Sequence, residues 1–241
     1  MVSWFSFRAR RARPANPRPR ASSRPLVVSR VELGDFTPDL DVYLGQAAYL
    51  QLALFESLGR ASGIAPSTRT KTLTGRVATS TLERHRGLVA EIERAGGDAP
   101  EAMQPHRAVI DDFQRRTGGG DWYETILASY VAAGLLNDVF SRLAAGLSDA
   151  DRERVVRVLE AGAADDDAAI VSELSLAIKA DPKLASRLAL WGRRLVGDTL
   201  LVARAAISAS HESADDERLE PVFTELIAAH TRRMDALGLT A

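Results

Sequence analysis

Tyr43 to Arg60 reads YLGQAAYLQLALFESLGR, an apolar run of helical composition that carries one acid, Glu56, near its end. A carboxylate buried alone is expensive, so Glu56 needs a partner, a proton or water. Two readings follow. Either Glu56 lies on an exposed edge of the helix, or it faces a bundle interior where a metal or a base meets it.

Working outward, Thr37-Pro38-Asp39 has the form of an N-cap followed by proline at the first helical position, and the helix stops near Gly63 with Pro66 beyond. A second helix is predicted from about Arg69 to Ala95. Its stripe reads Leu73, Val77, Thr81, Leu88 and Ile92, with His85 on the same side, and Gly96-Gly97 ends it. The next stretch, GGDAPEAMQPHRAVIDDFQRRTGGG, is long for a hairpin loop and suits a crossover containing a short helix. Asp121 caps a third helix reaching about Gly146, with Glu124 and Asp138 inside it. Fourteen residues at about 100° each bring those two acids within about 40° of one another. A fourth helix is predicted from Ser148 or Asp149 to about Ala180, its stripe of Val155, Leu159, Ala163, Ile170, Leu174 and Ala177 interrupted by Asp166. A fifth spans about Lys183 to Ser210, and a sixth about Asp215 to Leu237. No strand-type alternation and no solenoid repeat is present, so the fold class is all-α.

The 241 residues are 46% hydrophobic and 26% charged, the balance of a globular chain with a sizeable core. Cysteine is absent, which excludes disulfides, thiolate metal sites and thiol catalysis. No apolar run is long enough to span a membrane and the N-terminus has no apolar signal core, so a cytoplasmic protein is expected.

The net charge of −1 is unevenly spread, since residues 1–30 hold eight arginines and no acid. Four prolines between Pro14 and Pro25 prevent a continuous helix there. A solubilising tail, a start codon placed too early and an organelle transit peptide all fit this composition. So does an electrostatic arm in which Arg8, Arg10, Arg11, Arg13, Arg18 and Arg20 meet RNA, DNA or an anionic membrane while Trp4, Phe5 and Phe7 stack or insert.

Two helical pairs joined by a crossover, each offering an inward acid, have the layout of a ferritin-like carboxylate bundle, and Glu56 precedes His85 by a distance that suits adjacent antiparallel helices. LGQAAYLQLALFESLGRASGIAP, the His85 region, the DWYE of Asp121 to Glu124, the Asp138-Val139-Phe140 segment and LALWGRRLVGD at Leu188 to Asp198 resemble actinobacterial ferritin-like proteins grouped with the tRNA 2-methylthio-isopentenyladenosine hydroxylases, the MiaE-like family. The resemblance covers residues about 40–205. It implies a four-helix core with additional C-terminal helices and, in active members, a non-haem di-iron centre that uses dioxygen. On that resemblance Glu56 matches the first-helix acid and His85 the second-helix imidazole, but Leu82 stands where an acid is required. Asp138 or Glu124 matches the third-helix acid. The fourth helix has no histidine, and Glu160, Asp165 and Asp166 are its nearby acids. About half of the ligand set is present, against the roughly four carboxylates and two imidazoles that two irons need.

The sequence therefore predicts a disordered arginine/proline-rich tail over 1–35, a ferritin-like bundle over 36–210 and a C-terminal helix over 211–241 packed on it. Two functions compete. One is a binding or scaffold protein without cofactor, in which His85 is a core histidine paired with Glu56. The other is an iron-dependent hydroxylase or oxidase with an atypical site drawn from Glu56, His85, Glu124, Asp138 and Asp166. The Ala-rich helix faces also suit a homodimer. His106, His211 and His230 are expected in solvent, and one of Arg193 and Arg194 is expected to fork to a buried acid such as Asp138 or Asp198.

Overall fold

The computed structural model describes residues 33–208 and 216–240; the arginine-rich segment, with Arg8, Arg10, Arg11, Arg13, Arg18 and Arg20, lies outside them. Every regular element among the described residues is helical. Helix α1 (Leu40–Gly63) follows an N-cap at Asp39, and the hydroxyl of Thr37, expected to cap, instead donates to the carbonyl of Leu143. Helix α2 (Thr68–Arg94) opens on a reciprocal capping box between Ser67 and Thr70. The two helices pack along their whole length, burying Leu44, Ala47, Leu54 and Leu58 of α1 and Val77 and Leu88 of α2.

The crossover holds two helices, α3 (Ala99–Met103) and α4 (Arg107–Thr117). It delivers the chain to the third long helix, capped by Asp121 as expected. That helix is built of α5 (Trp122–Ala128), one π-helical turn (Ser129–Ala133) and α6 (Gly134–Leu143). It is the most enclosed element of the bundle: Ile126, Leu127, Val131, Leu136, Val139 and Leu143 are all at or near zero exposure. The two hydrophobic clusters of the core both run through it, one toward Tyr43 and Phe140, the other toward Trp122 and Leu188.

The predicted fourth helix is two helices, α7 (Asp149–Glu160) and α8 (Ala163–Ala180). Gly162 between them has φ +69°, a left-handed conformation that costs other residues about 1–2 kcal/mol, and it turns the chain where the periodicity alone runs straight on. Helix α9 (Pro182–Ser208) and helix α10 (Asp216–Ala236) complete the bundle. Val222, Leu226, Met234 and Leu237 of α10 are buried in the core, so this last helix is part of the packed body. Gly192 of α9 provides the seat: a Cβ there would lie 2.2 Å from the Met234 methyl, whereas Gly197 faces open space. The result is a four-helix core of α1, α2, α5–α6 and α7–α8, joined by a crossover, with two further C-terminal helices. No helix among the described residues is long and apolar enough to cross a membrane.

Candidate functional site

Two arginines on apolar stripes organise the interior. Arg84 of α2 occupies the phase of Val77, Thr81 and Leu88, and its side chain is 5% exposed. It donates to Asp166 of α8 at 2.7 Å and, through Nε, to the carbonyl of Ala161 at 3.0 Å, tying α2 to the break before α8. Ser80 adds a 3.3 Å hydrogen bond to the other Asp166 oxygen. A buried pair of this kind balances desolvation against attraction, and here desolvation prevails at the carboxylate: burial raises the Asp166 pKa, opposed by Arg84.

Arg233 of α10 is the second organiser. Its guanidinium lies over the Tyr130 ring at 5.6 Å and against Gly134, where a Cβ would come within 2.7 Å of the guanidinium carbon. It donates to Asp138 of α6 at 2.9 Å and to Asp167 of α8 at 3.1 Å. Asp138 and Asp167 keep part of their surface in solvent, yet partial desolvation raises both pKa values against the pull of Arg233. One layer higher, Gln51 of α1 donates to Asn137 of α6 at 2.7 Å, a polar bond across the bundle centre. The oxygens of Gln51 and Gln46 and both ring nitrogens of His230 are buried without a partner.

Around these groups lies a cavity of about 260 Å³ walled by α2, α6, α8 and α10, with Leu54 of α1 and Ser129 and Ala133 of the π turn completing its lining. Asn137, Asp138 and Ala163 form a wall shared with a second, outer cleft of about 500 Å³ between α6, α10 and the end of α7.

The sequence candidates are not gathered at one point. Glu56 lies on the exposed edge, its side chain 69% accessible and paired with Arg60 one turn on. His85 is half-buried and donates from Nδ1 to the Ala48 carbonyl at 3.0 Å, so its expected pairing with Glu56 is replaced by a backbone bond between α2 and α1. Glu124 belongs to the start of α5, where it accepts from the Gly120 N–H and pairs with Arg187 of α9 at 2.9 Å. Asp138 and Asp166 line the cavity, held by Arg233 and Arg84 respectively. Glu124 and Asp138 do not share a face because the π turn takes up one residue more than an α turn. Fourteen residues then advance the helix as about thirteen would, leaving the two acids about 140° apart instead of 40°.

Among the described residues no three His, Asp or Glu side chains lie close enough to hold a metal ion. The donor set also has the wrong character for a di-iron centre, because four of the five candidates are committed to arginine and the fifth to a carbonyl. The arginine forks also differ from expectation: Arg194 stacks on Trp191 and Arg193 donates to the Thr240 carbonyl, leaving Asp138 to Arg233. His230, expected in solvent, is 3% exposed, and burial lowers its pKa; His106 is half-buried with a pKa lowered by the same cause. His211 lies outside the described residues.

Arg84, Arg233, Gln51 and Asn137 were not singled out from the sequence. The signal for Arg84 was present: a charge on one apolar stripe calls for the opposite charge on another, and Asp166 interrupts the stripe of the next helix.

A helical bundle with a long crossover and acids on its inward faces defines the ferritin-like class. Residues 36–217 match the family model described as a ferritin-like domain of actinomycetes, and the chain belongs to that family. Among curated proteins none matches it.

Proposed function

We propose that this ferritin-like protein is a MiaE-like relative that works as a metal-free binding or scaffold protein. The observation that carries the reading is the commitment of the interior acids to guanidinium groups: Asp166 is taken by Arg84, and Asp138 with Asp167 by Arg233. An arginine is charged at every accessible pH and repels a metal cation, so it acts as a fixed substitute for one. Asp166 would have to release Arg84 before it served as a ligand, and that would strand a buried cation.

The cavity and its outer cleft give such a protein concave space in which a small molecule can be held, lined by more charged side chains than most such sites carry. The test is elemental analysis of iron, manganese and zinc in untagged protein expressed with iron supplied and purified without chelator. Less than about a tenth of a metal per folded chain is expected. One or two metals per chain would overturn the reading and favour the hydroxylase.

A further inference from the structure

We infer that the cavity between α2, α6, α8 and α10 binds a small organic cation, an aliphatic amine in its ammonium form, held by Asp138 and Asp167. The inference rests on the metal-free binding reading and gives that site a ligand class.

The first support is charge. Among the lining side chains, Asp138, Asp166 and Asp167 stand against two guanidiniums, Arg84 and Arg233, which leaves one negative charge in excess within the lining, while Arg76, Arg142 and Arg232 act on these acids from outside it. The carboxylates also disfavour one another, since the charges of Asp138 and Asp166 both act on Asp167. An excess of one sign within a partly desolvated lining is stabilised by a counter-charge placed inside it. An anionic ligand would add to the excess.

The second support is the distribution of acceptors. Asp138 and Asp167 each give one oxygen to Arg233, and among the described residues no donor takes the other oxygen of either. The Thr81 hydroxyl donates its proton to the Val77 carbonyl and keeps its lone pairs for a ligand. An ammonium group offers three donors and no acceptor, matching these oxygens, and the buried unpaired donor of the lining, Nε of Arg233, is the exception. A bare metal ion needs ligands converging on one point, which the described residues do not supply.

The third support is size and apolar floor. About 260 Å³, at ~30 Å³ per water-sized group, holds roughly eight such groups, which suits a four- to six-carbon amine. Leu54, Val77 and Ile170 line the same cavity and would pack the alkyl chain. The outer cleft, across the wall of Asn137, Asp138 and Ala163, gives a route from solvent.

The experiment is isothermal titration calorimetry of the full chain with n-butylammonium, 1-butanol and butyrate, three probes of one shape and different charge. Butylammonium is expected to bind at least tenfold more tightly than either of the others. Asp167→Asn, which makes the cavity neutral, is expected to lose at least tenfold. Ala163→Leu, which narrows the shared wall and keeps every charge, is expected to weaken binding as well and covers the case in which Asp167→Asn does not fold. Equal affinity for butanol and butylammonium, no heat from butylammonium at millimolar concentration, or wild-type affinity in a folded Asp167→Asn or Ala163→Leu protein would overturn the inference. Metal content is measured on the same preparation: metal-free protein that ignores the amine overturns the ligand class and leaves the binding reading standing, while stoichiometric metal overturns both.

Discussion

Glu56 and Asp166 are acids in the same bundle, each joined to an arginine, and they differ in everything that gives an ion pair its weight. Glu56 meets Arg60 on its own helix, both side chains more than 60% accessible. Asp166 meets Arg84 from another helix, with both below 10%. The first pair is screened by water and contributes little. The second has no water to fall back on, so its contribution is measured by what its loss would leave behind. The position of an acid relative to the core therefore decides whether it is ornament or architecture, and the acid that anchors the most apolar stretch of sequence belongs to the first kind.

The largest effect that would sharpen this contrast is at Arg84. Arg84→Leu strands Asp166 and is expected to lower unfolding free energy by about 3–5 kcal/mol in urea titrations. Arg84→Leu with Asp166→Leu is expected to recover most of that loss. A single-variant loss below about 1 kcal/mol would break the comparison.

Next come two glycines that seat side chains of α10. Gly134→Ala pushes on a guanidinium held by Asp138, Asp167 and Tyr130, and a loss of about 1–3 kcal/mol is expected. Gly192→Ala pushes on the end of Met234, a thioether free to rotate away, and less than about 1 kcal/mol is expected. Equal losses would show that the network around Arg233 adds no stiffness.

A smaller effect separates by pH. Burial lowers the His230 pKa from its ordinary 6.5, so the unfolded chain takes up the proton more readily than the folded one. The stability due to neutral His230 is complete above pH 6.5 and is lost as pH falls below it toward the folded value. Thermal melts from pH 7.5 to 5 are expected to show that decline, and His230→Leu to flatten it, leaving a residual from His106, whose pKa is lowered in the same direction. An unchanged pH profile in His230→Leu would place the titration elsewhere. The smallest effect is at Glu56: Glu56→Ala is expected to change stability by no more than about 0.5 kcal/mol in the same urea titrations.

The helices, their approximate ends and the crossover were legible because apolar spacing, caps and glycine pairs are local signals. Ser67, Asp98, Asp121 and Ser148 all cap the helices that follow them. Two features escaped for one physical reason, that both break a period without changing composition. The stripe from Val155 to Ala177 continues in phase across Gly162, hiding the left-handed turn there, and the π turn at Ser129–Ala133 is made of ordinary helix formers. The interior polar network was half legible. Asp166 stood out among apolar neighbours, but its partner lay 82 residues away and sequence spacing carries no information about such a pairing. Arg233 required knowing that α10 folds back onto α6.

The π turn has one more consequence, and it concerns length. Because the π turn already holds one residue more than an α turn, removing a single residue from Ser129–Ala133 would let it close as α and leave α6 in phase with α5. Removing one from an α turn of α5 would instead turn all ten residues of α6 by about 100°. Asp138 would keep Arg233 after the first deletion and lose it after the second, when every buried side chain of α6 would change address at once. Which residues look into this bundle is therefore set by a residue count as well as by residue identity. A scan of single-residue deletions from α5 through α6 is expected to find its most tolerant stretch at 129–133, and it interrogates the interior in a way that no set of substitutions does.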